Sequence, residues 1–297
     1  MTVERPDDPA RSMTLDEARA YAGAHNLRKV GERPPFSAYV RDLWDRRSFI
    51  WALSAAKRYA KNEGQKYGQL WAVLNPLLLI ASYLFIFGFL LKANHGIDNY
   101  VGYLAIGIIV FGMTSGTMTG GSRAILNNTG LVRALQFPRA VLPISTVLTE
   151  ALEMATGIVM LLFIVPFTGD RPHVKWLLLP VAILFQLLIQ TGLTLILARV
   201  VNMSADLWNL IPVAVRLLRY VSGVFFSIAA VTKNHPVLYQ VLEFQPFALQ
   251  LTLARQAMMG EFAISWIHWA VGAAWALVLP GLGLWVFWRD EAKYGRG

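Results

Sequence analysis

Two pairs of ionisable side chains stand in otherwise apolar sequence, Glu150 with Glu153 and Arg216 with Arg219. Members of a pair are three residues apart, about one helical turn, so they share a face. Paired carboxylates can serve general acid–base catalysis, but no nucleophile or metal-ligand cluster accompanies these two. The five histidines (His25, His95, His173, His235, His268) are scattered without ligand spacing, and the chain has no cysteine for a thiolate or a disulfide. No Asp-x-Asp pair offers the metal site usual in sugar-nucleotide transferases. The glycines of Gly107–Thr114 mimic a phosphate-binding loop, but its lysine is missing and the run is apolar. The two charge pairs therefore read as structural. A lone charge at mid-membrane costs about 2.5–3.5 kcal/mol on insertion scales, so both pairs are expected to face the protein interior and partly neutralise one another.

The elements that must hold these groups are membrane spans. Hydrophobic residues make up 56% of the 297 and charged ones 15%, with mean hydropathy +0.46, more apolar surface than a soluble domain of this size needs. The first apolar run begins near Leu70, so no secretory signal is expected. Six runs approach the ~20 residues that cross ~30 Å of hydrocarbon: Leu70–Leu91, Tyr100–Ser122, Val141–Thr168, Trp176–Ala198, Leu207–Val231 and His268–Trp288. An even number returns both termini to one side, and Lys and Arg identify it. Thirteen lie in the leader, with Arg123, Arg133 and Arg139 after the second span, Arg199 after the fourth, and Arg289, Lys293 and Arg296 in the tail. The other side has only Lys92, Arg171, Lys175, Lys233 and Arg255, so both termini are expected to be cytoplasmic. The net charge of +9 thus belongs to the inner leaflet, and no nucleic-acid partner is expected.

Between the second and third spans runs a basic segment, Asn128–Pro143. Leu131, Val132 and Leu135 fall on one side of a short helix, Arg133 turns away, and Pro138 stops it. Spacing alone leaves open a grip for another protein and a loop helix lying on lipid headgroups. Residues 1–35 read as a flexible basic cytoplasmic leader, with a capping box at Thr14–Glu17. In residues 36–66 Val40, Leu43, Trp44, Ile50 and Trp51 recur at near-helical intervals, with Arg41, Arg46, Arg47, Lys57 and Arg58 on other faces. That pattern suits an amphipathic helix in the membrane interface, its basic groups toward anionic lipid; a solvated surface helix is the alternative. Gly112, Gly116 and Gly120 repeat every four residues and predict close helix packing. Residues 232–267, before the last span, are unusually apolar for a loop and divide at Pro246 into pieces too short to cross. They favour a re-entrant or interfacial helical hairpin that could shut a pathway from outside, with a simple surface cap as the alternative.

Several of these features together resemble the ABC-2 type transporter permeases. Tyr67-Gly68-Gln69-Leu70-Trp71-Ala72-Val73-Leu74-Asn75-Pro76-Leu77 is similar to their approach to the first span, and Leu131–Pro143 to their cytoplasmic coupling helix and its Phe-Pro-Arg…Leu-Pro continuation. Phe244-Gln245-Pro246-Phe247, followed by Arg255, resembles their external Asn-Pro segment. The likeness covers about residues 36–297 and in layout is most like the Wzm-type polysaccharide and teichoic acid exporters, particularly actinobacterial galactan exporters. Ala140 stands where an acid is common, Gln245 replaces the usual Asn, and Lys61–Lys66 is longer and more charged than usual.

The resemblance implies an all-α integral membrane protein. Six transmembrane helices (67–297) would follow the interfacial helix, with coupling helix 128–138 and an external gate hairpin 232–267 carrying Pro246, Phe247 and Arg255. It implies no enzyme but a half-transporter in a bacterial cytoplasmic membrane, pairing with a second copy of itself and two copies of an ABC ATPase. Leu131, Val132, Arg133, Leu135, Phe137, Pro138 and Arg139 would meet that ATPase. ATP and magnesium would be bound there, this chain holding no cofactor or metal. The implied cargo is a lipid-linked polysaccharide of galactan, O-antigen or teichoic-acid type. It would be taken from the inner leaflet along aromatic faces, for which Trp71, Tyr83, Phe87, Tyr103 and Phe111 are the candidates. A permease for a drug or small lipid shares the scaffold, and a membrane channel or glycosyltransferase is the remaining alternative.

Overall fold

The computed structural model describes residues 14–24, 34–62, 68–91, 96–291 and 294. Most of the leader, and Lys66, Tyr67, Lys92, His95, Lys293 and Arg296, lie outside these. All regular structure among the described residues is helical.

Helix α1 (Leu15–Ala24) starts at the capping box, with Thr14 N–H donating to Glu17 Oε2 at 2.9 Å. The stretch read as one interfacial helix is two: α2 (Phe36–Asp45) and α3 (Arg47–Asn62), parted at Arg46. Then come α4 (Gly68–Tyr83), prolonged by a π-helical Leu84–Leu90, and α5 (Tyr100–Ser122). Asn99 Oδ1 caps α5 by accepting from Gly102 N–H at 2.8 Å. Short α6 (Thr129–Ala134) precedes α7 (Val141–Phe167) and α8 (Leu179–Met203), the latter led in by a 3₁₀ turn at Val174–Leu178.

The predicted span Leu207–Val231 is not one helix. A 3₁₀ segment (Ala205–Leu210) feeds α9 (Ile211–Val221), the chain turns at Ser222–Ser227 with Gly223 at φ 71°, and α10 (Ile228–Val231) follows. A positive φ is open to glycine at no steric cost, so Ser222-Gly223 is where the helix breaks. Helices α11 (Pro236–Glu243) and α12 (Pro246–Met258) form a hairpin, and α13 (Trp266–Arg289) completes the order. Among the described residues five helices are long and apolar enough to cross a membrane: Leu70–Leu90, Tyr100–Ser122, Val141–Phe167, Val174–Met203 and Trp266–Arg289.

Helix α5 is apolar all round and buried on most sides, packed by α7, α8 and α12. The first span is far less enclosed, with Ile80 its one buried residue between Leu70 and Leu90. The predicted close packing is met at Gly116 and Gly120, which both face α7, and not at Gly112. A Cβ at Gly112 would meet nothing within 4 Å, one at Gly116 would strike the Glu150 side chain, and one at Gly120 would lie 3.3 Å from Thr146 Cγ2. Backbones instead touch between α8 and α13, where a Cβ on Gly192 would overlap the Leu279 carbonyl and one on Gly283 would come within 2.8 Å of Gly192 Cα.

A polar network fixes α12 to these helices. Gln190 Nε2 on α8 donates to Thr114 Oγ1 (2.6 Å) and to Gln250 Oε1 on α12 (2.9 Å), while Thr117 Oγ1 on α5 donates to Gln190 Oε1 (2.9 Å). Gln190 lies about 16 Å along α8 from its N-terminal end at ~1.5 Å per residue.

Candidate functional site

A cavity of about 650 Å³ opens between α3, α4, α5 and α7, within the range of small-ligand sites. Arg58 and Lys61 of α3, Trp71 and Asn75 of α4, Glu150 and Glu153 of α7 and Arg219 of α9 line it. Gly112 and Gly116 leave the α5 wall without side chains, Gly112 facing open space and Gly116 making room for the Glu150 side chain.

The charges here are paired differently from the sequence expectation. Lys61 Nζ reaches Glu153 Oε2 at 2.7 Å and Glu150 Oε1 at 3.4 Å. Among the described residues neither acid pairs with Arg216 or Arg219. Arg219 Nη1 donates to the Tyr83 hydroxyl (3.3 Å) with its guanidinium 5.5 Å from the Phe111 ring centre, and Arg216 is exposed on α9. The reason lies in α3. Ser54, Lys57, Arg58 and Lys61 recur at helical spacing and face α7, not lipid headgroups. Ser54 Oγ donates to the Ser145 carbonyl (3.0 Å), Lys57 Nζ to Ser145 Oγ (2.9 Å) and Arg58 Nη2 to Thr156 Oγ1 (3.1 Å). Burial against α7 pulls the Lys57 ammonium down to about 8. Trp51 and Tyr59 occupy the exposed side.

Because Lys61 is half exposed, its pairing is screened, and Lys61→Met is expected to cost only about 1 kcal/mol. It should nonetheless raise amide exchange along α3 selectively, with α8 and α13 unchanged; equal protection in the variant would rule out this latch.

Of the five aromatics expected along a substrate path, Trp71 lines the cavity. Tyr83 and Phe87 pack their rings on Phe225, both at 4.5 Å. Tyr103 and Phe111 are core residues, 2% and 1% exposed, and the Tyr103 hydroxyl donates to the Phe226 carbonyl at 2.9 Å. Neither ring lines the cavity. Arg255, expected at the external gate, lies in the interior. It is buried, its guanidinium 3.4 Å from the Tyr103 ring centre and donating to the Val224 carbonyl (3.2 Å), which ties α12 to α5 and the Ser222–Ser227 turn. Pro246 opens α12 at its first turn, and Phe247 packs on the main core.

The helix expected between the second and third spans is shorter than predicted: α6 ends at Ala134, and Leu135 is already extended (φ −127°, ψ 143°), before Pro138 can act as the stop. Leu135 therefore does not share a helical face with Leu131 and Val132. Val132 is buried with Ala124 and Leu142, against which Leu131 and Phe137 pack, and the Phe137 ring meets Phe49 edge-on at 5.7 Å. Pro138 is buried too. What projects is Arg133, Ala134, Leu135 and Gln136.

Sequence reasoning missed Glu291. Its Oε1 accepts from Arg139 N–H and its Oε2 from the Tyr39 hydroxyl, both at 2.8 Å, and its carbonyl accepts from the Arg139 guanidinium. Burial pushes the Glu291 carboxyl above its ordinary value, against the opposing pull of the Arg139 N–H and the Tyr39 hydroxyl. The sole signal was an adjacent acid pair, Asp290-Glu291, in a basic tail; Asp290 Oδ2 meets Arg199 Nε at 2.6 Å.

No family model matches the chain. It is 27% identical over 192 residues to the O-antigen export system permease protein RfbA of Myxococcus xanthus, spanning 65% of this chain and 73% of that one. A protein of the same description from Klebsiella pneumoniae is 23% identical over 229 residues, 77% of this chain and 85% of its own. The polysialic acid transport protein KpsM of Escherichia coli is 24% identical over 233 residues, 76% and 88% of the two chains. The chain is thus a distant homologue of transporter permeases of polysaccharide export, aligned along most of their length.

Proposed function

We propose that this chain is the permease subunit of an ABC exporter that carries a lipid-linked polysaccharide, of galactan, O-antigen or teichoic-acid type, across a bacterial cytoplasmic membrane. The observation that carries the reading is the exposed Arg133–Gln136 handle at the foot of a helical membrane body whose relatives are polysaccharide export permeases. Two copies pair, and the handle of each seats on a separate ATPase, where ATP and magnesium are bound. Both termini are cytoplasmic, as the Lys and Arg distribution requires. The sixth crossing is the broken one. Six 3₁₀ residues at ~2.0 Å and eleven α residues at ~1.5 Å give about 28 Å from Ala205 to Val221, close to the ~30 Å hydrocarbon core.

The α11–α12 hairpin is re-entrant from outside in this reading. The thirteen residues of α12 rise only about 20 Å, and the Gln250 bonds to Thr114 and Gln190 support a position near mid-depth. Cargo reaches the cavity beside α3 and α4 from the inner leaflet, with Trp71 offering a ring face to sugar.

Co-expression with candidate ATPases tests the assignment. One should co-purify in equal amount, hydrolyse ATP in the complex, and be stimulated by lipid-linked glycan. Stimulation by small apolar drugs alone would move the assignment to a drug or small-lipid exporter, and export with no ATPase present would end it.

A further inference from the structure

We propose that Glu291 is a positioning residue that passes movement of the handle on to α2 and the last span. The inference rests on the handle reading above and adds a route between segments far apart in the chain. Helix α7 has a poor start of its own, because its N-cap is Ala140 and no side chain of the segment caps it. The missing acceptor comes from the far end of the chain. Glu291 takes the Arg139 N–H on one carboxylate oxygen and the Tyr39 hydroxyl on the other, and the Tyr39 oxygen in turn accepts from Ala140 N–H at 3.2 Å. The ring is closed a second time by the Arg139 guanidinium on the Glu291 carbonyl.

Four elements meet at this carboxylate: the segment leaving the handle, the head of α7, the leader helix α2 and the tail of α13. The cluster is largely enclosed, with Tyr39 1% and Glu291 7% exposed and Ala140 fully buried, and only Arg139 partly open to solvent. The tail is itself anchored by the Phe287 and Tyr294 rings, 4.5 Å apart, and by the Asp290–Arg199 pair that fixes the foot of α8. A group so enclosed cannot follow the handle without carrying α2 along. Helix α2 leads directly into α3, which walls the cavity.

The absence of cysteine makes the test clean, since introduced thiols will be the only ones. Spin labels at Gln136→Cys, on the handle, and at Asp45→Cys, at the exposed end of α2, are each paired with a label on the bound ATPase. Distances are read in the reconstituted full-length complex without nucleotide and with ATP trapped by vanadate. In the otherwise unchanged chain both labels are expected to shift. In Glu291→Ala the Gln136 label should still shift while the Asp45 shift falls at least fivefold, and Glu291→Gln, which keeps an acceptor, should restore most of it.

Should Glu291→Ala fail to assemble, Tyr39→Phe removes one hydrogen bond and keeps the ring. It is expected to halve the Asp45 shift. An undiminished Asp45 shift in Glu291→Ala, or in Tyr39→Phe where that stands in, overturns the inference while the handle reading survives. A Gln136 label that does not respond to ATP in the unchanged chain overturns the handle reading and this inference with it.

Discussion

Leu135→Asp is expected to leave the chain folded and inserted but to separate it from its ATPase. Leu135 is 51% exposed on extended backbone beyond the end of α6 and belongs to no buried cluster of the described residues, so an aspartate there can turn to solvent. An apolar anchor lost from the centre of an interface costs about 2 kcal/mol or more, a fall of roughly 30-fold in affinity. Co-purification and ATP turnover of the variant complex read this directly. Leu131→Asp is the contrasting case, because Leu131 packs on the Val132 cluster and its loss destabilises the chain itself. Arg133→Glu reverses a charge on the exposed face and should weaken assembly as Leu135→Asp does. If Leu135→Asp and Arg133→Glu both bind and stimulate the ATPase normally, the handle is no contact surface.

Gly192→Leu is expected to abolish folded protein. The α8 and α13 backbones meet at this residue, where a Cβ would overlap the Leu279 carbonyl and lie 2.6 Å from Pro280 N. Rigid main chain cannot yield as a side chain would, so the two helices must separate along their shared face. Overpacking in a filled core costs typically 1–3 kcal/mol and more where backbone is the obstacle. That is a large share of the stability of a membrane domain, and the monodisperse fraction after detergent extraction should fall at least fivefold. Gly112→Leu is the control, since its Cβ would point into open cavity space; it should extract normally. Equal yields from the two variants would contradict the contact described between α8 and α13.

These two glycines also show what could be read in advance. The run Gly112, Gly116, Gly120 had the spacing of a packing face, and spacing cannot say whether the neighbour is a helix or a void. Gly192 and Gly283 lie on different helices, so nothing in the linear pattern joins them. Span limits were legible where an apolar run meets a cap, as at Asn99 before α5, whose predicted and observed limits coincide. The break after Val221 was masked because Ser222–Val231 remains apolar on average, and only Gly223 marks the turn. The basic face of α3 was legible as a stripe, but hydropathy assigned it to lipid headgroups. Its true partner is the Ser145–Thr156 stripe of α7, nearly a hundred residues on, and polar groups at that depth seek protein. Glu291 was illegible for the same reason, since its partners Tyr39 and Arg139 are separated from it by most of the chain.

The bare first span gives the cavity unequal walls. Three sides belong to the tightly filled body or are latched to it, whereas the side carrying Trp71 and Asn75 is a helix with Pro76 in its interior, ending in a π-helical segment and mostly uncovered along its outer side. A guest too large for the resting volume therefore meets one compliant panel in a stiff frame. Swelling the chamber on that side disturbs the contacts of Ile80, Tyr83 and Phe87, and the packing of α5 on α7, α8 and α12 need not change to admit it.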